Sequence, residues 1–345
     1  MAVQPTKPGS VLSLSWRLVV ESRARTVSVG ISTVWVFVIL AALLVSHASA
    51  KTLTIGTGSR GGVYVALGYG ICDAVEKSFR EISCNVVRTK GSIDNLIGIA
   101  KGEFDLGVVQ SDIQYHAVTG TGTFKNIGAL PTVRSLFSAH PESLAVMTKK
   151  DSGIEGLADL PGQRVDIGKV MSGTNATMRL LFEAMGVPLT AFRDIATLDV
   201  KDQYDAICGR DVTITAYLAG HPNANIKKLV QLCDVTFVGV TGSVVDQLIA
   251  SNPYYVKTHI PKTAYDGMDR DVPTIGLLAT VMTSDKLDFV IAYALTKAVF
   301  ENLEHVRSKH LSLRSLDPLV MARNGMTARR HSGAEKYLNE AGLLP

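Results

Sequence analysis

The sequence predicts an α/β protein built as two lobes, each a largely parallel sheet flanked by helices, with a ligand cleft between them. Three observations predict it: a glycine-rich strand-to-helix junction over residues 54–64 (TIGTGSRGGVY), a βαβαβ order of apolar runs over 53–110, and a second junction of the same kind over 164–174. Alternating strands and helices favour parallel pairing with right-handed crossovers.

The first fifty residues read as an export segment rather than as part of the fold. Lys7, Arg17, Arg23 and Arg25 precede a stretch, 26–50, without Asp, Glu, Lys or Arg. Its uninterrupted apolar run, 34–45, suits a signal h-region better than a membrane span of about twenty residues. Ala48-Ser49-Ala50 then supplies a small-residue cleavage pattern. An uncleaved N-terminal anchor is the alternative, and either way the remainder faces outside the cytoplasm, with the periplasm as the expected location. Cleavage after Ala50 leaves 51–345, a length suited to two lobes with sizeable cores. The net charge of +4 rests mostly on the leader, where four basic residues face Glu21 alone. The folded part is therefore nearly neutral, and with no basic stripe interleaved with aromatics, nucleic acid is not an expected partner.

The first junction is a candidate anion site. Glycines at 56, 58, 61 and 62 remove the Cβ atoms that would keep a ligand off the main chain. The first-turn N–H groups of the next helix lack intrahelical partners and sit at the positive end of its dipole. That helix shows in Tyr64, Leu67, Ile71, Val75 and Phe79 at three- and four-residue spacing. Gly56-x-Gly58-x-x-Gly61 also fits a dinucleotide fingerprint, but no acidic residue ends the next strand-like run, 85–89, which closes on Arg88 and Thr89. A tight turn that binds nothing competes with both readings.

The runs 53–55, 85–89 and 106–110 alternate with helices over 64–79 and 92–100. The polar segments following each strand, 59–64, 89–95 and 110–112, therefore emerge at one carboxyl edge, where open α/β sheets bind ligands. Ser92 and Asp112 read equally well as helix caps. Four cysteines in an exported chain suggest two disulfides, and their order suggests local pairs, Cys72 with Cys84 and Cys208 with Cys233. Three connectivities are formally open, and no CxxC spacing marks a metal site.

A second lobe is expected to begin after Ser138-Ala139-His140-Pro141-Glu142, with the apolar strand 144–147. The opening pattern recurs as strand 164–167, then Ser172-Gly173-Thr174, then a helix whose apolar side carries Met178, Leu181, Phe182 and Met185 and which ends near Gly186. One such junction is most often a simple cap. Two, one per lobe, make a shared cleft the better account.

The ordered set GTGSRGGVY, TKGSIDNL (89–96), GEFDLGVVQSD (102–112), FSAHPE (137–142), DLPGQRVDIG (159–168), SGTNATM (172–178), AGHPN (219–223), NPYYVKTHIP (252–261), TIGLLATVMTS (274–284) and HSGAEKYLNEAGLL (331–344) resembles the TAXI family of extracytoplasmic solute receptors. These serve tripartite ATP-independent periplasmic (TRAP) transporters. The resemblance covers essentially all of 52–345 and implies a type II periplasmic-binding-protein fold: two α/β lobes, 51–143 with about 240–345, and about 144–239, joined by crossing strands near 144–147 and 276–283. It implies capture of a small organic anion, a dicarboxylate or a glutamate-like acidic amino acid, for delivery to TRAP permease subunits, with no cofactor and no catalysis. The implied ligand contacts are Ser59, Gly62, Val63 and Tyr64 at the first helix start, with Thr89 and Ser92. Gln110 and Ser111 come from the third strand's edge, Ser172, Gly173 and Thr174 from the second lobe, and Tyr217 as a wall. Three positions depart from the family pattern: Arg60 where a small or neutral residue is usual, Lys169-Val170-Met171 where Gly and Pro are, and Ser332 where Pro follows His.

Two rivals come from other classes. A ligand-sensing module would present the same pocket to a signalling partner. A secreted enzyme is less well supported, because His116, His140, His221 and His331 lie in different segments and no GxSxG or HExxH motif is present. His140 is the one histidine expected near a cleft.

Overall fold

The computed structural model describes Met1 and residues 51–345; the expected export segment, including its cleavage pattern, lies outside the described residues. The chain runs β1 (Lys51–Gly56), α1 (Val63–Ser78), β2 (Ile82–Val87), α2 (Ser92–Lys101), β3 (Leu106–Gln110) and α3 (Ser111–Thr119). It continues through β4 (Val133–Lys149), β5 (Arg164–Asp166), α4 (Gly173–Ala184), β6 (Asp194–Ala196), α5 (Val200–Cys208), β7 (Ile214–Ala219) and α6 (Ala224–Cys233). After β8 (Val235–Val238), α7 (Ser243–Ser251), β9 (Val256–Ile260) and β10 (Val272–Ser284), it closes with α8 (Phe289–Glu301), α9 (Leu303–Ser308), α10 (Pro318–Arg323) and α11 (Ser332–Glu340). Among these helices none is long and apolar enough to cross a membrane.

Leu53 and Ile55 of β1 are fully buried beneath Leu67, Ile71 and Val75 of α1, so the helix seats the face its periodicity predicts. β1 pairs in parallel with β2 and with β3, as the βαβαβ pattern requires. The second strand stops earlier than expected: its last pair is Gly56↔Val87, and Arg88 and Thr89 leave the sheet. A second parallel group, β7–β5–β6, lies beyond two long antiparallel strands, giving the order β2-β1-β3-β10-β4-β7-β5-β6, with β8 on β4 and β9 on β10.

The crossing is longer than the sequence suggested. Instead of a break at Ser138–Glu142, β4 is one strand of 17 residues that passes through both halves beside β10. Pro141 is tolerated inside it at an irregular point. Between the pairs Leu278↔Pro141 and Thr280↔Ser138, β4 advances three residues while β10 advances two, a β-bulge. The return is also later than residue 240. Val245, Leu248 and Tyr254 share a core cluster with Leu144, Ile167 and Phe182, so the chain comes back only along β10.

The C-terminal helices cover the first half. α8 joins the cluster of Leu53 and Leu67 through Leu295 and Val299, and Gln114 of α3 accepts from the N–H groups of Thr327 and Ala328 (2.7 and 2.6 Å). Ser332 is the first residue of α11, whose start His331 caps by accepting from Gly333 N–H (3.2 Å); Ser fits this position as well as Pro. Cys72 of α1 joins Cys84 of β2, and Cys208 joins Cys233, with Cα separations of 5.1 and 4.9 Å. Each disulfide staples a local element pair, as their order suggested.

Candidate functional site

The β1–α1 loop ends on Gly62, the N-cap of α1, which has no side chain to satisfy the first-turn amides. Gly61 before it adopts φ +77°, a left-handed conformation open to glycine at little cost. On the other side, α4 begins at Gly173 behind Ser172, whose Oγ accepts from Asn175 N–H (3.2 Å) and leaves the remaining first-turn amides open. The loop leading to it is shaped by Met171, which takes φ +72° without being glycine, and by Asn175 Nδ2 donating to Gly168 O (2.9 Å).

These two helix starts wall a single cavity of about 70 Å³. Ser59, Gly62, Val63 and Tyr64 line it from the first loop, Ser92 and Gln110 from the next two strand ends, and Ser172, Gly173, Thr174 and Tyr217 from the far side. Ten of the twelve sequence-predicted contacts thus surround one space. The walls touch: Gly173 packs against the Gln110 carboxamide so closely that an added Cβ would require the carboxamide to move, and Gly91 lies against Ser172.

Two predicted residues do not reach this space. The Thr89 hydroxyl donates to Thr57 O (2.9 Å) and accepts from Gly91 N–H (3.1 Å), so it knits neighbouring loops together. Ser111 is buried with its Oγ accepting from Leu278 N–H (3.4 Å) and its carbonyl accepting from Thr327 Oγ1 (3.1 Å). Ser92 is not a cap. Gly91 holds that position, and Ser92 Oγ accepts from Gln110 N–H (3.1 Å) across the sheet edge. Asp112 likewise sits inside α3, and its Oδ2 accepts from Thr177 (3.1 Å) on α4 and Tyr255 (2.7 Å), tying the two sides of the cavity together.

The cavity also brings in Glu142, Asn223 and Gln203, which the sequence did not single out, and lies beside His140, the histidine expected near a cleft. Glu142, next to the bulge in β4, lines it at 3 % exposure and accepts from the Tyr64 hydroxyl (2.8 Å). Burial pushes its carboxyl up to about 8. His140, fully buried, sets its ring edge-on to Tyr64 with centroids 6.0 Å apart. Asn223, at 1 % exposure, and Gln110, at 3 %, also line the cavity, and among the described residues Asn223 Nδ2 and Gln110 Oε1 have no hydrogen-bond partner. Unmet buried groups of this kind are costly. Gln203 lines the wall too, but its amide donates to Asp166 (2.6 Å). Asp166 takes further bonds from Thr215, Leu198 and Gly168, a satisfied structural carboxylate.

Outside the cavity lies a larger hollow lined by Arg60, Arg88, Lys90, Lys169, Lys201 and Lys228 against Asp94 and Asp199. Arg60 is exposed there rather than inside. Lys169 pairs with Asp199 (2.5 Å). The excess of cations favours anion approach, while the inner space offers mainly uncharged donors.

The profile of the NMT1-like family matches residues 55–342. Among solved structures, MatC from Rhodopseudomonas palustris, determined with bound malate, is 14% identical with a TM-score of 0.53, covering 85% of this chain and 97% of that one. The periplasmic binding protein BugD is 9% identical with a TM-score of 0.53, covering 85% and 98%. A Xanthomonas citri protein determined with bound ATP is 12% identical with a TM-score of 0.51, covering 85% and 97%. At such identities the likeness is one of fold, that of the type II periplasmic binding proteins.

Proposed function

The chain belongs to the NMT1-like family, and we propose that it is an extracytoplasmic solute receptor of the TAXI type that captures a small organic anion in the cavity between its two halves. One observation carries this: two helix starts from opposite halves present free amides to one shared space of about 70 Å³. Open amides at a helix N-terminus suit a carboxylate. A dicarboxylate or glutamate-like acid fits the pairing of one anionic group with each helix start.

The lobes are the first half of the sheet with its C-terminal cover, and the intervening segment from about residue 144. They swing about β4 and β10, and ligand bridging both lobes shifts the population toward the closed form. A TRAP permease then reads the closed form. The export segment read in the first fifty residues supports a periplasmic location. No catalytic step is assigned: His140, edge-on to the cavity-lining Tyr64, has its pKa pushed down to about 3 by burial, which makes it a weak base.

Thermal-shift screening of the purified protein against small carboxylates tests this, because a ligand of the native state raises its apparent stability. A stabilising acid confirmed by calorimetry and recovered unchanged supports the receptor; turnover of that acid, or no response to any, refutes it. Gene neighbourhood separates transport from sensing: an adjacent permease supports the first, a sensor kinase the second.

A further inference from the structure

Glu142 is out of keeping with the rest of the cleft: a carboxyl in a wall otherwise suited to negative charge. Tyr64 donates to its Oε2 (2.8 Å), and among the described residues no donor reaches Oε1. The basic nitrogen beside it is Nε2 of His140, 3.8 Å from Oε1. Among the described residues both ring nitrogens of His140 lack hydrogen-bond partners, and burial, reinforced by His310, holds that imidazole neutral with a pKa down to about 3. Asp112 at the start of α3 opposes ionisation of Glu142 through its own charge. Tyr64 and Tyr217, both raised chiefly by burial, are neutral. Lys90 and Lys169 lie on the lining, the second committed to Asp199.

A buried carboxylate must be paired or else keep its proton. Glu142 has no counter-ion, and burial with Asp112 lifts it to about 8. With Tyr64 already donating to Oε2, the proton resides on Oε1 and makes it a donor. A ligand carboxylate placed beside this group strengthens its hold on the proton.

Building on the anion-receptor reading, we propose that Glu142 recognises the ligand as a neutral acid, donating a hydrogen bond to an incoming carboxylate, so that capture of the anion requires the protonated form and draws in a proton above neutral pH.

The test titrates succinate, L-malate, glutarate and 2-oxoglutarate into the full protein by calorimetry at pH 7 and pH 9, in paired buffers of different ionisation heat. None of these acids titrates in that range. The tightest of them binds about tenfold more weakly at pH 9 than at pH 7, for a required proton on a group near 8, with proton uptake approaching one per ligand at the higher pH. Glu142→Gln keeps an N–H donor in place of the acid, and its affinity does not change between the two pH values. Glu142→Ala binds weakly at both, and thermal melts check that each variant is folded. The proposal is overturned by a flat wild-type profile, by proton release on binding, or by a pH dependence that persists in Glu142→Gln. Those outcomes leave the receptor reading standing; failure of all four acids, and of L-glutamate beside them, to bind at pH 7 removes both.

Discussion

Replacing Gly173 by Ala tests cleft closure at one atom. Gly173 opens α4 on one side of the cavity, and an added Cβ would overlap the Gln110 carboxamide on the other. The overlap exists only while the two sides meet. Because the obstacle is the end of a side chain that can swing aside, the cost falls at the low end for overpacking, about 1 kcal/mol, which lowers affinity by about fivefold. The open form bears none of that cost, and Ala is the better helix residue, so the ligand-free melting temperature stays level or rises. Calorimetry with the carboxylate found by thermal shift measures the loss. The same substitution in a Gln110→Ala background provides the control, because removing the carboxamide removes the obstacle and the two changes become strongly non-additive. An equal loss in both backgrounds, or undiminished affinity in the single variant, refutes the argument.

Three further outcomes are expected. Burial lifts Asp112 from its ordinary 3.8 to about 6, so the folded state binds more protons than the unfolded chain between those values and this group's contribution to stability falls as pH rises through them, by on the order of 3 kcal/mol. Urea midpoints against pH therefore shift in favour of Asp112→Asn as pH rises from 4 to 7, and parallel profiles contradict this. Ser172→Ala loses the cap on Asn175 N–H and lowers stability by about 1 kcal/mol while weakening ligand binding, read from urea melts and calorimetry. Replacing Cys72 and Cys84 together by Ala opens a loop of sequence separation 12 and costs about 3 kcal/mol; non-reducing peptide mapping that finds all four thiols free contradicts the pairing.

The helix starts were legible because their chemistry is local: glycines and short hydroxyls at a strand-to-helix junction announce open amides wherever the chain later places them. The pairing of strands 53–55 and 106–110 was legible for the same reason. Glu142 was not, because its neighbours disguise it. His140-Pro141-Glu142 looks like a loop that ends a lobe, and only the bulge in β4 lets a proline sit within a long strand and turns the carboxyl into the cavity. A charged residue between a proline and the apolar run 144–147 was the available signal. Thr89 misled in the opposite way, since its hydroxyl lies at the right edge but is spent on Thr57 and Asn95. Asn223 and Gln203 reach the wall through tertiary packing of α6 and α5, which no local pattern encodes.

A ladder flexes where a rung is missing. The paired β4 and β10 are irregular at two places, and one of them is opposite Ala279, beside His140 and close to Glu142, so a fulcrum of the proposed swing lies next to the proposed seat of the ligand. Forces exerted by a bound solute would then act on a short lever arm, and the outer hollow lined by Arg60 and Lys228 would open by more. A misfit of a fraction of an ångström at the seat opens a much larger gap at the mouth. A permease sampling only that mouth inspects the quality of a fit it never touches.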